Sequence, residues 1–265
     1  MNDAQSAGDA APLELRIDAK TYLSADGTSV EVVRGLKLRL EAGSFGALIG
    51  PSGSGKGTVS RAAAKSLGWA LLDSGALYRL VALAGRRAGI DLNDARGLSQ
   101  LARGLDIRFD STAGGEEIVY LGGQEVTRDI RTESAGSDAS RVAALPSVRE
   151  ALLDRQRRFA VAPGLVADGR DMGTVVFPDA RVKIFLTASA DERAARRYKQ
   201  LKEKGVAATL AALSKEIAER DQRDITRAVS PLVASADAVL LDTTGMPVDA
   251  VVERVLRIVR TSLSL

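Results

Sequence analysis

The chain has 265 residues, 45% hydrophobic and 27% charged, with a net charge of +3 and neither cysteine nor histidine. That make-up excludes disulfides, thiolate metal centres and imidazole acid–base chemistry, so any reaction must use Lys, Arg, Asp, Glu, Ser, Thr, Tyr or backbone groups. Aromatic residues are only 4%, and a mild positive balance without a dense basic stripe suits a small anionic substrate rather than nucleic acid.

Taken in chain order, residues 1–12, "MNDAQSAGDAAP", are small and polar and read as a disordered tail. They lack a basic then apolar pattern, and no apolar run approaches the eighteen residues of a membrane span, so a cytoplasmic protein without membrane contact is expected. Residues 13–40, "LELRIDAKTYLSADGTSVEVVRGLKLRL", alternate apolar and polar in short runs and predict an added antiparallel β extension over 13–43. Then come five apolar runs without alternation: Phe45 to Ile49, Trp69 to Leu72, Leu165 to Ala167, Val182 to Leu186 and Ala238 to Leu241. Strands buried on both faces read this way. Helical patterns lie between them at Lys56 to Ser66, Tyr78 to Ala88, Ser189 to Glu203, Thr209 to Gln222 and Pro247 to Val259.

Strand and helix in alternation predict an α/β fold, a five-stranded parallel sheet flanked by helices, with ligands beyond the carboxyl ends of the strands. From about Ile107 to Ala160 the rhythm breaks. "IRF", "EEIVYL" and "QEVT" predict short antiparallel strands joined by "DSTAGG" and Gly122-Gly123, and two helical patterns follow around Pro146. This stretch reads as an insertion that carries substrate contacts.

The strand ends collect the chemistry. "GPSGSGKGT", Gly50 to Thr58, nearly satisfies the phosphate-loop pattern, in which glycines let backbone N–H groups wrap phosphate oxygens and the lysine reaches the β- and γ-phosphates. Gly57 stands where the usual pattern has the Ser or Thr that ligates Mg²⁺, so the triphosphate and waters must hold most of the metal. "DSGALYR" places Asp73 and Ser74 at a strand end, as a helix cap or as site residues, and Arg79 in the next helix, where it suits a second phosphate. "DGRDMG" offers Asp168, Arg170 and Asp171, either as an Arg170–Asp171 pair that shapes the loop or as ligand contacts. Arg193, Arg196 and Arg197 share one helical face, read as a solvated face or a lid over phosphates. "ERDQRDITR" adds Arg220, Asp221, Arg223, Asp224 and Arg227. Many arginines and no histidine suit phosphoryl transfer, which relies on positioning and charge neutralisation.

From Gly50 onward the chain closely resembles bacterial cytidylate kinases, a group of nucleoside monophosphate kinases with the P-loop NTPase fold. The stretches that carry the resemblance are "GPSGSGKGT", "LLDSGALYR", "IRTESAGSDAS", "SVREALLDRQRRF", "DGRDMGTVVFPDA", "VKIFLTAS" and "RDITRAVSPL". It implies transfer of the ATP γ-phosphoryl group to CMP or dCMP, giving ADP and CDP or dCDP, with Mg²⁺. Residues 44–265 would be the kinase domain, 106–160 its α+β monophosphate-binding insertion and 191–206 a short lid carrying Arg193, Arg196 and Arg197.

By the same resemblance, Gly50, Pro51, Ser52, Gly53, Ser54, Gly55, Lys56, Gly57 and Thr58 bind ATP. Lys56, Arg170 and Arg220 serve catalysis, with Lys56 on the transferring group. Ser74, Arg79, Asp168 and Arg170 fall to CMP, with Arg79 and Arg170 on its phosphate. Asp171 and Ser140 face the cytosine amino group, Arg149 the O2/N3 edge, and Arg220, Asp224 and Arg227 the sugar. No residue is assigned directly to the metal, and the group is commonly monomeric.

Residues 13–50 instead resemble the opening of an ABC-transporter ATPase, with Tyr22 near where that family stacks adenine. The later Leu-Ser-Gly-Gly-Gln signature and a run ending Asp-Glu are missing. Ile49 also departs from the Asp that cytidylate kinases usually carry before the loop. The competing expectations are an ABC-type ATPase subunit and a nucleotide-binding protein without turnover.

Overall fold

In the computed structural model, residues 13–23, 29–40, 44–112, 117–203, 208–227 and 229–263 are described, with side chains from residue 46 onward except at residue 111. The expected tail over 1–12 and part of the "DSTAGG" loop lie outside them. Strands β1 (Leu13–Leu23) and β2 (Ser29–Leu40) pair antiparallel from Leu13 opposite Leu40 to Leu23 opposite Ser29, as a two-stranded sheet of their own.

All five expected parallel strands form: β3 (Ser44–Ile49), β4 (Ala70–Asp73), β8 (Gly164–Gly169), β9 (Val182–Thr187) and β10 (Val239–Asp242). Their order is β10-β9-β3-β8-β4. Alternate residues point to opposite faces. Ala47 and Ile49 of β3 therefore join Leu72, Leu165 and Ala167 in one buried cluster, while Leu48 joins Val166, Ile184 and Leu186 in the other. Helices α1 (Lys56–Leu67) and α8 (Val248–Leu263) cover the second face through Val59, Ala63, Val251 and Val255. Leaving central β3, the chain crosses to β4 at one edge, returns to β8, then fills the other side with β9 and β10. That reversal of direction about β3 opens a crevice at the carboxyl ends.

Helix α2 (Ser74–Arg87) covers the first face and starts four residues earlier than the periodicity indicated. The reason is local: Asp73 Oδ1 accepts the Ala76 N–H at 3.0 Å and caps the first turn. Helix α3 (Ala95–Gly104) was not anticipated; Asp94 caps it through the Gly97 N–H at 2.9 Å, and Leu98 and Ala102 are fully buried. The insertion holds the expected antiparallel strands β5 (Ile107–Ser111), β6 (Glu117–Leu121) and β7 (Gln124–Glu125), the last shorter than "QEVT". After a 3₁₀ turn at Asp129–Arg131 come α4 (Glu133–Val142), capped by Thr132, and α5 (Pro146–Arg157), with proline in its first turn. Helices α6 (Ala190–Glu203) and α7 (Leu210–Thr226) complete the mouth of the crevice. Among the described residues no helix is long and apolar enough to cross a membrane.

Candidate active site

The loop between β3 and α1 is held from below and beside. A Cβ on Gly50 would lie 2.2 Å from the Leu186 carbonyl oxygen, so only glycine lets the loop leave the sheet against β9. Gly53 takes φ +79 with its Cα face against Arg193, again a position for glycine. The Thr58 and Val59 N–H groups close onto the Gly55 carbonyl at 3.1 and 3.0 Å, which starts α1 directly behind the loop and aims its N-terminus at the crevice. Lys56 Nζ donates to the Pro51 carbonyl at 3.1 Å, curling the ammonium group back over the loop.

Gly57 lies against Asp168 at the end of β8: a Cβ there would sit 3.3 Å from Asp168 Oδ2. The other oxygen, Oδ1, is buried without a hydrogen-bond partner. Burial pushes the Asp168 carboxyl above the usual carboxylate range, opposed by Lys56, and burial pulls Lys56 below its ordinary value, opposed by Asp168.

Beyond the loop, arginines converge from four elements. Arg79 of α2 donates to the Ile130 carbonyl at 2.7 Å. Arg170, just past β8, pairs with Asp224 of α7. Asp171 pairs instead with Arg149 of α5. The adjacent Arg170 and Asp171 thus take separate partners, and the internal pair that their proximity in sequence allowed does not form. Arg220 is pulled down first by burial and then by the Arg170 and Arg79 guanidinium groups, and its Nε has no partner. Gly136 of α4 leaves room for this cluster; a Cβ there would lie 3.2 Å from Arg220 Nη1 and 3.7 Å from Arg79 Nη2. Burial and neighbouring guanidinium groups pull both Arg79 and Arg220 below the ordinary value, and such a gathering of buried cations is arranged for anions.

At the far end, Arg149 donates to the Ala143 carbonyl at 3.1 Å and lies 5.5 Å from the centre of the Tyr78 ring. Burial pushes the Tyr78 phenol up to about 12. Ser140 Oγ is buried without a partner, and so is Arg227 Nη2, although Arg227 Nε donates to the Ser230 carbonyl. Ser74 Oγ donates to Gln156 Oε1 at 2.8 Å.

The arginines expected on a lid separate. Arg193 is 6% exposed and is neither solvated nor over the cavity. Its Nη1 donates to the Ser52 carbonyl at 3.0 Å and its Nη2 pairs with Asp221 at 2.6 Å, so it ties α6 to the phosphate loop and to α7. Arg196 donates to Thr243 Oγ1 at 3.1 Å, and Arg197 pairs with Glu133 at the start of α4 across the cavity mouth.

One cavity of about 960 Å³ joins these parts; of the residues expected in the site, all but Gly50, Pro51 and Arg193 line it. Arg131 stands in the quoted stretch "IRTESAGSDAS" but was given no role; it also lines the cavity and reaches Asp73 at 3.3 Å and Glu117 of β6. Gln156 and Gly136 were missed as well. Their partners lie far away in the chain, so no spacing rule finds them.

The cytidylate kinase family model matches residues 47–261. Cytidylate kinase of Pseudomonas aeruginosa is 60% identical over 213 residues, covering 80% of this chain and 93% of that protein. Those of Pseudomonas syringae pv. tomato and Azotobacter vinelandii are each 59% identical over 208 residues, 78% of this chain and 91% of theirs. The chain belongs to the cytidylate kinase family. The match takes in the phosphate loop, β4, β8, β9, β10 and the whole insertion, so the kinase family, and not the transporter ATPases, accounts for the sheet and its cavity. A gluconokinase from Sinorhizobium meliloti 1021 aligns with 84% of the chain and 94% of its own at TM-score 0.43 and 16% identity, a likeness that carries no functional argument. Residues 13–46, with β1 and β2, stand outside the cytidylate kinase match.

Proposed function

We propose that the cavity holds two nucleotides end to end and transfers the γ-phosphoryl group of ATP to CMP or dCMP, giving ADP and CDP or dCDP. The observation that carries this is the cavity's polarity. A phosphate loop forms one end, a buried Arg149–Asp171 pair with an orphaned Ser140 hydroxyl forms the other, and Lys56, Arg79, Arg170 and Arg220 lie between.

ATP lies with its phosphates on Gly50 to Thr58, where the α1 N-terminus and Lys56 face them. Arg79 and Arg170 hold the acceptor phosphate, and Arg220 bridges toward the transferring group. Phosphate charge offsets the burial of Arg79 and Arg220 and pairs with these guanidinium groups. Asp171 accepts from the cytosine amino group, Ser140 meets the same edge, and Arg149 donates to the O2/N3 side. Asp224 and Arg227 meet the sugar.

Mg²⁺ suits the loop end, because Asp168 offers a hard oxygen donor whose Oδ1 is orphaned, and Gly57 leaves space beside its Oδ2. Among the described residues no cluster of three acidic side chains could hold the ion by itself, so the phosphates and water supply its other donors. Bound there, the metal neutralises charge on the phosphate oxygens. Arg197 of α6, reaching Glu133 of α4, closes the mouth and excludes the water that would otherwise accept the phosphoryl group.

Labelling tests this. ATP labelled at the γ-phosphorus, mixed with CMP and the full-length protein, should yield labelled CDP. Label released as inorganic phosphate at a rate independent of CMP contradicts the proposal and restores the ATPase alternative.

A further inference from the structure

We propose that Gln156 is a positioning residue that sets cytosine over uracil by fixing the direction of the Ser74 hydroxyl. Gln156 of α5 is 1% exposed and does not line the cavity, whereas Ser74, the first residue of α2, does. Between them the Ser74 hydroxyl donates to Gln156 Oε1 at 2.8 Å. The Gln156 amide nitrogen is turned the other way, toward the Leu152 carbonyl of its own helix at 3.5 Å, so the amide presents its oxygen to the serine.

A hydroxyl has one proton and two lone pairs. With its proton committed to Gln156, Ser74 meets the cavity as an acceptor only. Ser74 belongs to the base end by position. Tyr78, one helical turn further along α2, lies beneath the Arg149 guanidinium, and Arg149 is paired with Asp171. Cytosine offers an amino donor at its fourth ring position and uracil a carbonyl acceptor. An acceptor-only hydroxyl in the cavity that Asp171 also lines welcomes the first and leaves the second facing lone pairs. A polar mismatch of this kind is rejected far more strongly than a mismatch of shape.

This inference rests on the proposed base site, and the test separates the two. Ratios of kcat/KM for CMP over UMP are measured for the full-length protein and for Ser74→Ala, Gln156→Met, Gln156→Glu and the Ser74→Ala/Gln156→Met double variant. Gln156→Met should lower the ratio at least tenfold, mainly through a better KM for UMP, because the freed hydroxyl can then donate to the uracil carbonyl. Gln156→Glu, still an acceptor, should hold the ratio within about threefold. The double variant should match Ser74→Ala alone, since the proposed selectivity runs through that hydroxyl; Gln156 also lies beside the Tyr78 phenol, and additive losses would mark an effect through that contact or a general structural one and overturn the proposal. An unchanged ratio in Gln156→Met, with Ser74→Ala impaired, overturns the role of Gln156 and leaves the base site standing. An unchanged ratio in Ser74→Ala removes Ser74 from the base site and the inference with it. If Gln156→Met shows no cooperative melting transition, Gln156→Ala frees the same hydroxyl and is held to the same outcomes.

Discussion

Gly57 departs from the usual phosphate loop, and its surroundings supply a physical reason. Any Cβ at this position closes to 3.3 Å on the Asp168 carboxylate. Gly57→Ala should therefore stabilise α1 by up to about 1 kcal/mol, since alanine favours helix over glycine, while displacing Asp168 and lowering kcat by roughly three- to tenfold. Thermal melting and steady-state kinetics on one preparation check both directions; equal kcat would show that the carboxylate's placement is immaterial.

Lys56 supplies a pH prediction at the same scale. Burial holds it below the ordinary 10.5, so it is charged only below that lowered value. The kcat/KM for ATP should fall as pH rises through it, earlier than an ordinary lysine allows. Above it and below 10.5 the unfolded chain binds a proton that the folded chain does not, so this lysine makes the empty protein more stable as pH rises there. In kcat, read at saturating ATP, the alkaline limb should lie higher. A limb at the ordinary lysine value, unmoved by ATP, contradicts the assignment. The residue types at the strand ends were legible in the sequence, but their partners were not. Arg170 reaches Asp224, 54 positions away, and not its neighbour Asp171.

At the scale of elements, the parallel strands were the most legible part, because burial on both faces makes each a continuous apolar run. Helix α3 was not anticipated although Leu98, Leu101 and Ala102 keep helical spacing behind the Asp94 cap; it is only ten residues long, and Gly97 and Gly104 lower its helix propensity. The π-helical turn at Met172–Val176 has no periodicity that would reveal it. Helix α6 was found, but its spacing could not show that Arg193 faces inward. That inward arginine joins three elements, so Arg193→Ala should cost about 3 kcal/mol by leaving Asp221 without its partner, roughly 6–12 °C in melting temperature. It should also raise the KM for ATP, because the Ser52 carbonyl loses its support. A loss of stability with unaltered KM for ATP would limit Arg193 to holding α6 and α7 together.

For the whole molecule, the decisive relation is between β3 and what precedes it. The family match begins at Ala47, inside β3, and the β1–β2 pair enters that strand at its amino end, with the phosphate loop at the other. Ile49, where cytidylate kinases usually carry Asp, is fully buried in the core cluster with Leu72 and Ala167, so the altered residue serves packing of the sheet. The altered lead-in therefore leaves the cavity's own residues in place, and turnover is expected from the full-length chain. The most direct measurement is ADP release from ATP and Mg²⁺ by that full-length protein with CMP, dCMP, UMP, AMP and GMP in turn. The proposed site predicts that CMP and dCMP are the best acceptors, with UMP and the purine nucleotides at least tenfold lower in kcat/KM. Faster turnover with UMP or AMP, or ADP release at the same rate without any acceptor, would contradict it.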